Sequence, residues 1–360
     1  MGVADLLTGL LPRPDVDVHA CSRRLGSGCT VCVDACPKQA LQVTASDGRD
    51  DHAPAVDALA CVGCGLCEAQ CPVQAISGVG SAAELIVAAA SGKRVLRLRC
   101  EAARTSGAKL EADRPAAAGL DVGCLASLHP ESVAAAAGAL HPHGAIELLR
   151  GDCQRCPLGA GDAVARMVSE ASDCLSGARR IHMGVVPEGG DPAEDAQRPA
   201  LQMSRRALFR RASPRRMAED AGVAGTSTGG GRTPRDLVLE KLEHPALPRP
   251  LVEDGCTGCR ACINVCPRDA LTSSDTDDMF ELTVDPTACV QCRECVRVCP
   301  EEVMHPNSRF PDPSSELLTS VELHRCSSCG MRLSPGETAR CSACASRQSL
   351  VSDVWSQYGL

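Results

Sequence analysis

Three cysteine runs in this 360-residue chain have the residue types and spacing to hold metal clusters. Cys61, Cys64, Cys67 and Cys71 precede Pro72, Cys256, Cys259, Cys262 and Cys266 precede Pro267, and Cys289, Cys292, Cys295 and Cys299 precede Pro300. Each reads C-x2-C-x2-C-x3-C-P, in which the short gaps let successive thiolates face one iron–sulfur cubane while the cysteine before the proline faces away from it. A fourth run, Cys29, Cys32 and Cys36-Pro37, is altered: Gly26 stands where the first cysteine belongs, and Cys21 lies five residues upstream. Zinc sites use two short knuckles with a longer spacer between them, so four thiols within eleven residues followed by proline argue against zinc here.

Two further groups account for most of the remaining thiols among the 25 cysteines. Cys100, Cys124 and Cys153 each come at or shortly after an apolar run that reads as a strand, and Cys156 completes a set of four. They suit either a [2Fe-2S] cluster or zinc. Cys326, Cys329, Cys341 and Cys344 form two knuckles eleven residues apart, a spacing for one tetrahedral ion between two hairpin turns. This tail looks like a zinc ribbon, with a rubredoxin-like iron site as the alternative. Cys174 is left over, inside an expected helix, and reads as a small core residue.

The elements that position these thiols follow from the pattern around them. After each Cys-Pro comes a small or apolar pair, Ala40-Leu41, Ala75-Ile76, Ala270-Leu271 or Val303-Met304, that starts a strand over its cluster. Residues 56–62 and 284–290 match as a strand and turn delivering the first ligand of a second motif. Between the pairs, strands over 95–99, 120–123, 145–149 and 181–186 alternate with helices over 130–140 and 162–175, which predicts a small parallel sheet flanked by helices. Cysteines at its strand ends matter because open parallel sheets place ligands at the carboxyl edge.

Composition bounds the rest. Only five aromatics are present, Phe209, Phe280, Phe310, Trp355 and Tyr358, so metal centres are expected to organise small cores by adding their binding energy to folding. The net charge of −8 gives nucleic-acid binding no global support. The opening residues lack the basic and apolar regions of a secretory signal, and no apolar run approaches a membrane span; a reduced, cytoplasmic, soluble protein is expected. Residues 187–235 are rich in Gly, Pro, Asp and Arg, with Gly229-Gly230-Gly231 as a flexible joint. Ser204–Arg210 imitates a twin-arginine motif at an internal position, which reads as solvated linker. Gly159-Ala160-Gly161 lacks the third glycine of a dinucleotide fingerprint, and His141 and His143 read as exposed.

Over residues 15–80 and 250–307 the cysteine runs resemble the bacterial dicluster ferredoxins. In that family the fourth cysteine of each motif serves the other motif's cluster. The resemblance implies three [4Fe-4S] sites: Cys256, Cys259, Cys262 and Cys299; Cys289, Cys292, Cys295 and Cys266; and Cys61, Cys64, Cys67 and Cys36. At the remaining site two ligations stay open. Either the Gly26–Gly28 segment lets Cys21 join Cys29, Cys32 and Cys71 in a fourth [4Fe-4S] cluster, or a three-iron cluster forms with Cys21 free. Cys124-Leu125-Ala126 and Gly151-Asp152-Cys153-Gln154-Arg155-Cys156-Pro157 resemble the delta subunit of methyl-viologen-reducing hydrogenases, which implies [2Fe-2S] at the middle site.

The expected fold class is therefore α+β multidomain. Dicluster ferredoxin-like domains are expected at 15–80 and 250–310, a four-cysteine α/β domain at 81–190, a flexible linker at 191–249 and a zinc-ribbon-like tail at 311–360. The expected function is that of polyferredoxin-type electron-transfer subunits, non-catalytic in themselves, relaying electrons between an acceptor and a formate dehydrogenase, hydrogenase or heterodisulfide-reductase-like partner in a larger complex. The alternatives are a metal-sensing or metal-delivery protein and a catalytic subunit using the middle cluster.

Overall fold

The computed structural model describes residues 13–43, 53–80, 83–105, 116–175, 180–185, 232–276, 279–310, 313–331, 333, 337 and 339–357. Gly229–Gly231 and Ser204–Arg210 lie outside them. The chain divides into two compact units, Met1–Leu247 with Arg309–Pro313, and Pro248–Ser308 with Ser314–Leu360.

The first unit begins with four two-residue strands, β1 (Asp15–Val16), β2 (Leu41–Gln42), β3 (Ala55–Val56) and β4 (Ile76–Ser77), paired antiparallel as β1 with β4 and β2 with β3. β2 and β4 follow the Cys36-Pro37 and Cys71-Pro72 turns, and β1 and β3 lead into the loops that carry Cys21 and Cys61. The same main-chain bond closes both pairings. The Asp17 amide donates to the Ala75 carbonyl and that of Asp57 to Ala40, both at 2.8 Å.

The unit continues into four parallel strands, β5 (Val95–Cys100), β6 (Ala117–Val122), β7 (Ala145–Arg150) and β8 (Arg180–Val185), in spatial order β6-β5-β7-β8. Alternation decides which face is buried. Leu96, Leu98, Ile146 and Leu148 have no exposure, whereas the intervening residues pair as ions, Arg97 with Glu147 and Arg99 with Asp121 at 2.7 Å each, directly opposite in register. The helices Ala83–Ala90, Pro130–Ala139 and Gly161–Asp173 contribute Ile86, Val133 and Met167 to the same core.

Two features differ from the domain limits expected from sequence. Leu66, in the first cysteine region, belongs to the core of the parallel sheet. The helix Pro234–Lys241, inside the stretch expected to be linker, buries Leu237 and Val238 in that core and is opened by a Thr233–Asp236 capping box. Its apolar residues Leu237, Val238 and Leu239 are consecutive, so they carry little periodic signal. Its Arg235 forms a buried ion pair with Glu131.

The second unit repeats the cysteine architecture. Strands β9 (Leu247–Val252), β10 (Leu271–Asp275), β11 (Met279–Val284), β12 (Met304–Phe310) and β13 (Glu316–Glu322) form a β9–β12 pair and a β10-β11-β13 sheet, with Phe280, Leu282 and Val284 buried among cysteines. Closing bonds recur at 2.8 Å from the Asp285 amide to Ala270 and from the Glu253 amide to Val303. The tail ends in the helix Ser342–Gln357. No helix among the described residues is long and apolar enough to cross a membrane.

Candidate metal centres

Strand pairing decides which thiols meet. Because β2 leaves Cys36-Pro37 and pairs with β3, which enters Cys61, Cys36 is delivered to the second motif. Cys36, Cys61, Cys64 and Cys67 line one cavity. The reciprocal β1–β4 pairing brings the chain after Cys71 back to the strand entering Cys21. Burial pushes the Cys32 thiol up to about 12, and the nearby thiols of Cys71, Cys29 and Cys21 add to the rise. In the second unit Cys256, Cys259, Cys262 and Cys299 line one cavity, and Cys266, Cys289, Cys292 and Cys295 another.

The conformation after each fourth cysteine repeats. Gln39, Gln74, Asp269 and Glu302 all lie in the left-handed region, with φ between 51° and 57°. Non-glycine residues persist there only when their surroundings demand it. The demand is visible in the next amide: Ala40, Ala75 and Ala270 donate to the sulfurs of Cys36, Cys71 and Cys266 at 3.2, 3.3 and 3.2 Å. Such bonds favour the thiolate and tune a bound cluster.

The altered first motif is held by its own contacts. The turn Ser22–Leu25, closed by Gly26 at φ 76°, fills the extra length between Cys21 and Cys29. Ser22 and Ser27 are buried and share a hydroxyl bond of 3.2 Å. The Cys29 amide donates to Ser27 Oγ at 3.2 Å, and Arg23 donates to the Cys29 carbonyl at 3.0 Å. Cys21 occupies the place that Cys61 and Cys289 occupy in regular motifs. In each, an aspartate four residues earlier accepts the cysteine amide through its carbonyl (3.0, 3.0 and 3.2 Å) and caps the turn through its carboxylate. Aligning the motif from its proline misses this relation. The unused signal is Val-Asp-x3-Cys, present at 16–21, 56–61 and 284–289.

The strand-edge site is assembled at the carboxyl ends of three adjacent strands. Cys100 ends β5, Cys124 follows β6, and Cys153 and Cys156 follow β7. Burial raises the Cys124 thiol to about 12, with Cys100, Cys156 and Cys153 adding. Cys100 Sγ accepts from the amides of Ala103 and Gly151 at 3.4 Å each. Gly151 is required here, because a Cβ would sit 2.9 Å from that of Ala102. An all-thiol donor set suits an iron–sulfur cluster or zinc. Cys174, fully buried, donates its thiol to the Glu170 carbonyl at 3.2 Å, away from these sites in role. His141 and His143 are exposed.

In the tail the ligand atoms of Cys326, Cys329, Cys341 and Cys344 lie within 4.8 Å of one another, with Cys329 and Cys341 Sγ 3.7 Å apart. A tetrahedral ion with metal–sulfur bonds of about 2.3 Å separates its ligands by about 3.8 Å, so four thiolates fit one ion. Backbone hydrogen bonds, first from Cys341, lower the Cys326 thiol to about 6, while its hydrogen bonds with Cys329 and Cys341 raise that of Cys344 to about 12. The second pair sits at the start of the helix Ser342–Gln357, where the ribbon expectation places a hairpin turn.

Residues 27–75 and 255–303 each match the family model of the 4Fe-4S dicluster domain. Cys21 lies outside the matched span, and its case rests on geometry. No curated protein matches the chain. With two dicluster domains, the chain has an iron–sulfur electron-transfer role.

Proposed function

We propose that this chain is a non-catalytic relay subunit, passing electrons between a partner oxidoreductase of the formate dehydrogenase, hydrogenase or heterodisulfide-reductase-like kind and an acceptor in the cytoplasm. The observation that supports it most is the gathering of cysteines from both motifs of each dicluster pair around common cavities.

The ligand sets are Cys21, Cys29, Cys32 and Cys71; Cys36, Cys61, Cys64 and Cys67; Cys256, Cys259, Cys262 and Cys299; and Cys266, Cys289, Cys292 and Cys295, each for one [4Fe-4S] cluster. Cys100, Cys124, Cys153 and Cys156 take a [2Fe-2S] cluster, and the tail thiols take zinc. When bound, the clusters supply one-electron redox chemistry. The chain's own residues set its conditions: Cys67, Cys71, Cys100 and Cys124 are buried, and the amides of Ala40, Ala75 and Ala270 hold negative charge on sulfur. Anaerobic reconstitution followed by metal analysis tests the reading, with about sixteen iron atoms expected from the four cubanes alone. Much less iron overturns it. Anaerobic copurification identifies the partner.

A further inference from the structure

We propose that the first dicluster pair passes electrons to the strand-edge centre across one built junction, which makes Cys100, Cys124, Cys153 and Cys156 a redox centre and not a zinc site. This rests on the relay function proposed above. Two independent contacts join the same pair of thiol sites. Lys38, two residues after Cys36, donates from Nζ to the carbonyl of Pro157, the residue after Cys156, at 3.3 Å. Gly65, the residue after Cys64, lies against Ser127, whose hydroxyl donates to the Cys124 carbonyl at 2.7 Å. Cys36 and Cys64 belong to one site, and Cys156 and Cys124 to the other.

The junction is specific in its packing. Gly65 adopts φ +78°, and a Cβ on it would meet Ser127 Cβ and the Val79 carbonyl at 2.9 Å each. The close approach of the two backbones therefore depends on glycine. Behind it Leu66, only 4% exposed, enters the same core as Leu96 and Val133, and the helix Leu66–Gln70 packs on the turn Leu125–Ser127. Glu68 locks the following chain by accepting the amides of Val79 and Gly80 at 2.9 and 2.6 Å. The Gly65–Ser127 contact is buried and the Lys38–Pro157 contact lies at the surface. Together they hold the two thiol sites side by side, a placement that serves electron exchange and that a structural zinc site does not need. One electron leaves the reduced centre at Cys36, Cys61, Cys64 and Cys67 and enters the oxidised strand-edge centre; no bond forms or breaks, and dithionite supplies the electron in the test.

The full chain, reconstituted anaerobically, is titrated with dithionite while EPR follows the strand-edge signal and its microwave power saturation. The expected result is faster relaxation of that signal once the neighbouring cubane is reduced. Cys61→Ser is expected to remove the acceleration, with a several-fold fall in half-saturation power, and Cys21→Ser to retain it. If Cys61→Ser loses iron throughout, the wild-type titration alone decides. Full iron content with zinc at the strand-edge site, or with relaxation unchanged by cubane reduction, overturns the junction while leaving the relay reading intact. Iron far below about sixteen atoms overturns both.

Discussion

The main-chain oxygen of Asp17 accepts the amide of Cys21 at 3.0 Å, repeating the bond between Asp57 and Cys61. Cys21 therefore stands in its turn as Cys61 does, with the next thiol, Cys29, five residues later than Cys64 comes after Cys61. Cys21→Ser is expected to cost the protein one iron atom and convert one four-iron centre to a three-iron form, read by Mössbauer spectroscopy and iron analysis. An unchanged spectrum would sink this ligand assignment.

Asp57 accepts the amides of Leu59 and Ala60 through its carboxylate at 2.8 and 3.3 Å. Asp57→Ala leaves both to water in a partly exposed turn, at a cost of about 1 kcal/mol. The thermal midpoint of the loaded protein, followed by its visible charge-transfer absorbance, is expected to fall by about 3 °C. Asp57→Asn, which keeps an acceptor, is expected to retain most of it.

The Arg235–Glu131 pair is buried, with side-chain exposures of 4% and 6%. Removing one partner strands a charge in the core, so Arg235→Ala is expected to destabilise the first unit by about 3–5 kcal/mol. Denaturant titration of the variant and of Arg235→Ala with Glu131→Gln separates lost charge pairing from lost packing. Equal destabilisation in both would refute the charge argument.

Gly151 donates its amide to Cys100 Sγ, and a Cβ on it would meet Ala102 Cβ at 2.9 Å. Gly151→Ala is therefore expected to lower occupancy of the strand-edge centre while the cubanes load normally. Metal analysis and EPR on the same sample check the contrast. Full occupancy would show that the backbone shifts at little cost.

The tail thiols form a group of their own. Cys341→Ser is expected to remove one metal ion per chain and leave the iron of the dicluster domains unchanged. Inductively coupled plasma analysis reads both together. Loss of cubane iron would contradict a separate tail site.

Much of this architecture is legible in the order of the residues. Three of the four parallel strands fall where apolar runs lead to a cysteine, and their alternation follows because burial on one face imposes a period of two. The small apolar pairs after each Cys-Pro do begin strands, since proline ends the ligand loop and the next residues must close over it. The helix Pro234–Lys241 and the entry of Leu66 into the sheet's core are not legible there, because each depends on one or two apolar side chains meeting a distant partner.

Spacing along the chain is enough to group the thiols into short-range sets, because two- and three-residue gaps leave few ways to point sulfurs at a common centre. Tertiary structure decided the rest. Pairing of β1 with β4 and β2 with β3 brings the chain after each Cys-Pro turn beside the strand that enters the other motif, and the Asp17 turn sets the position of Cys21. Only the packed chain brings Gly65 to Ser127 and Lys38 to Pro157. Local spacing is read from adjacent residues, whereas contacts between residues 62 and 119 positions apart exist only once strands pair and a common core is buried.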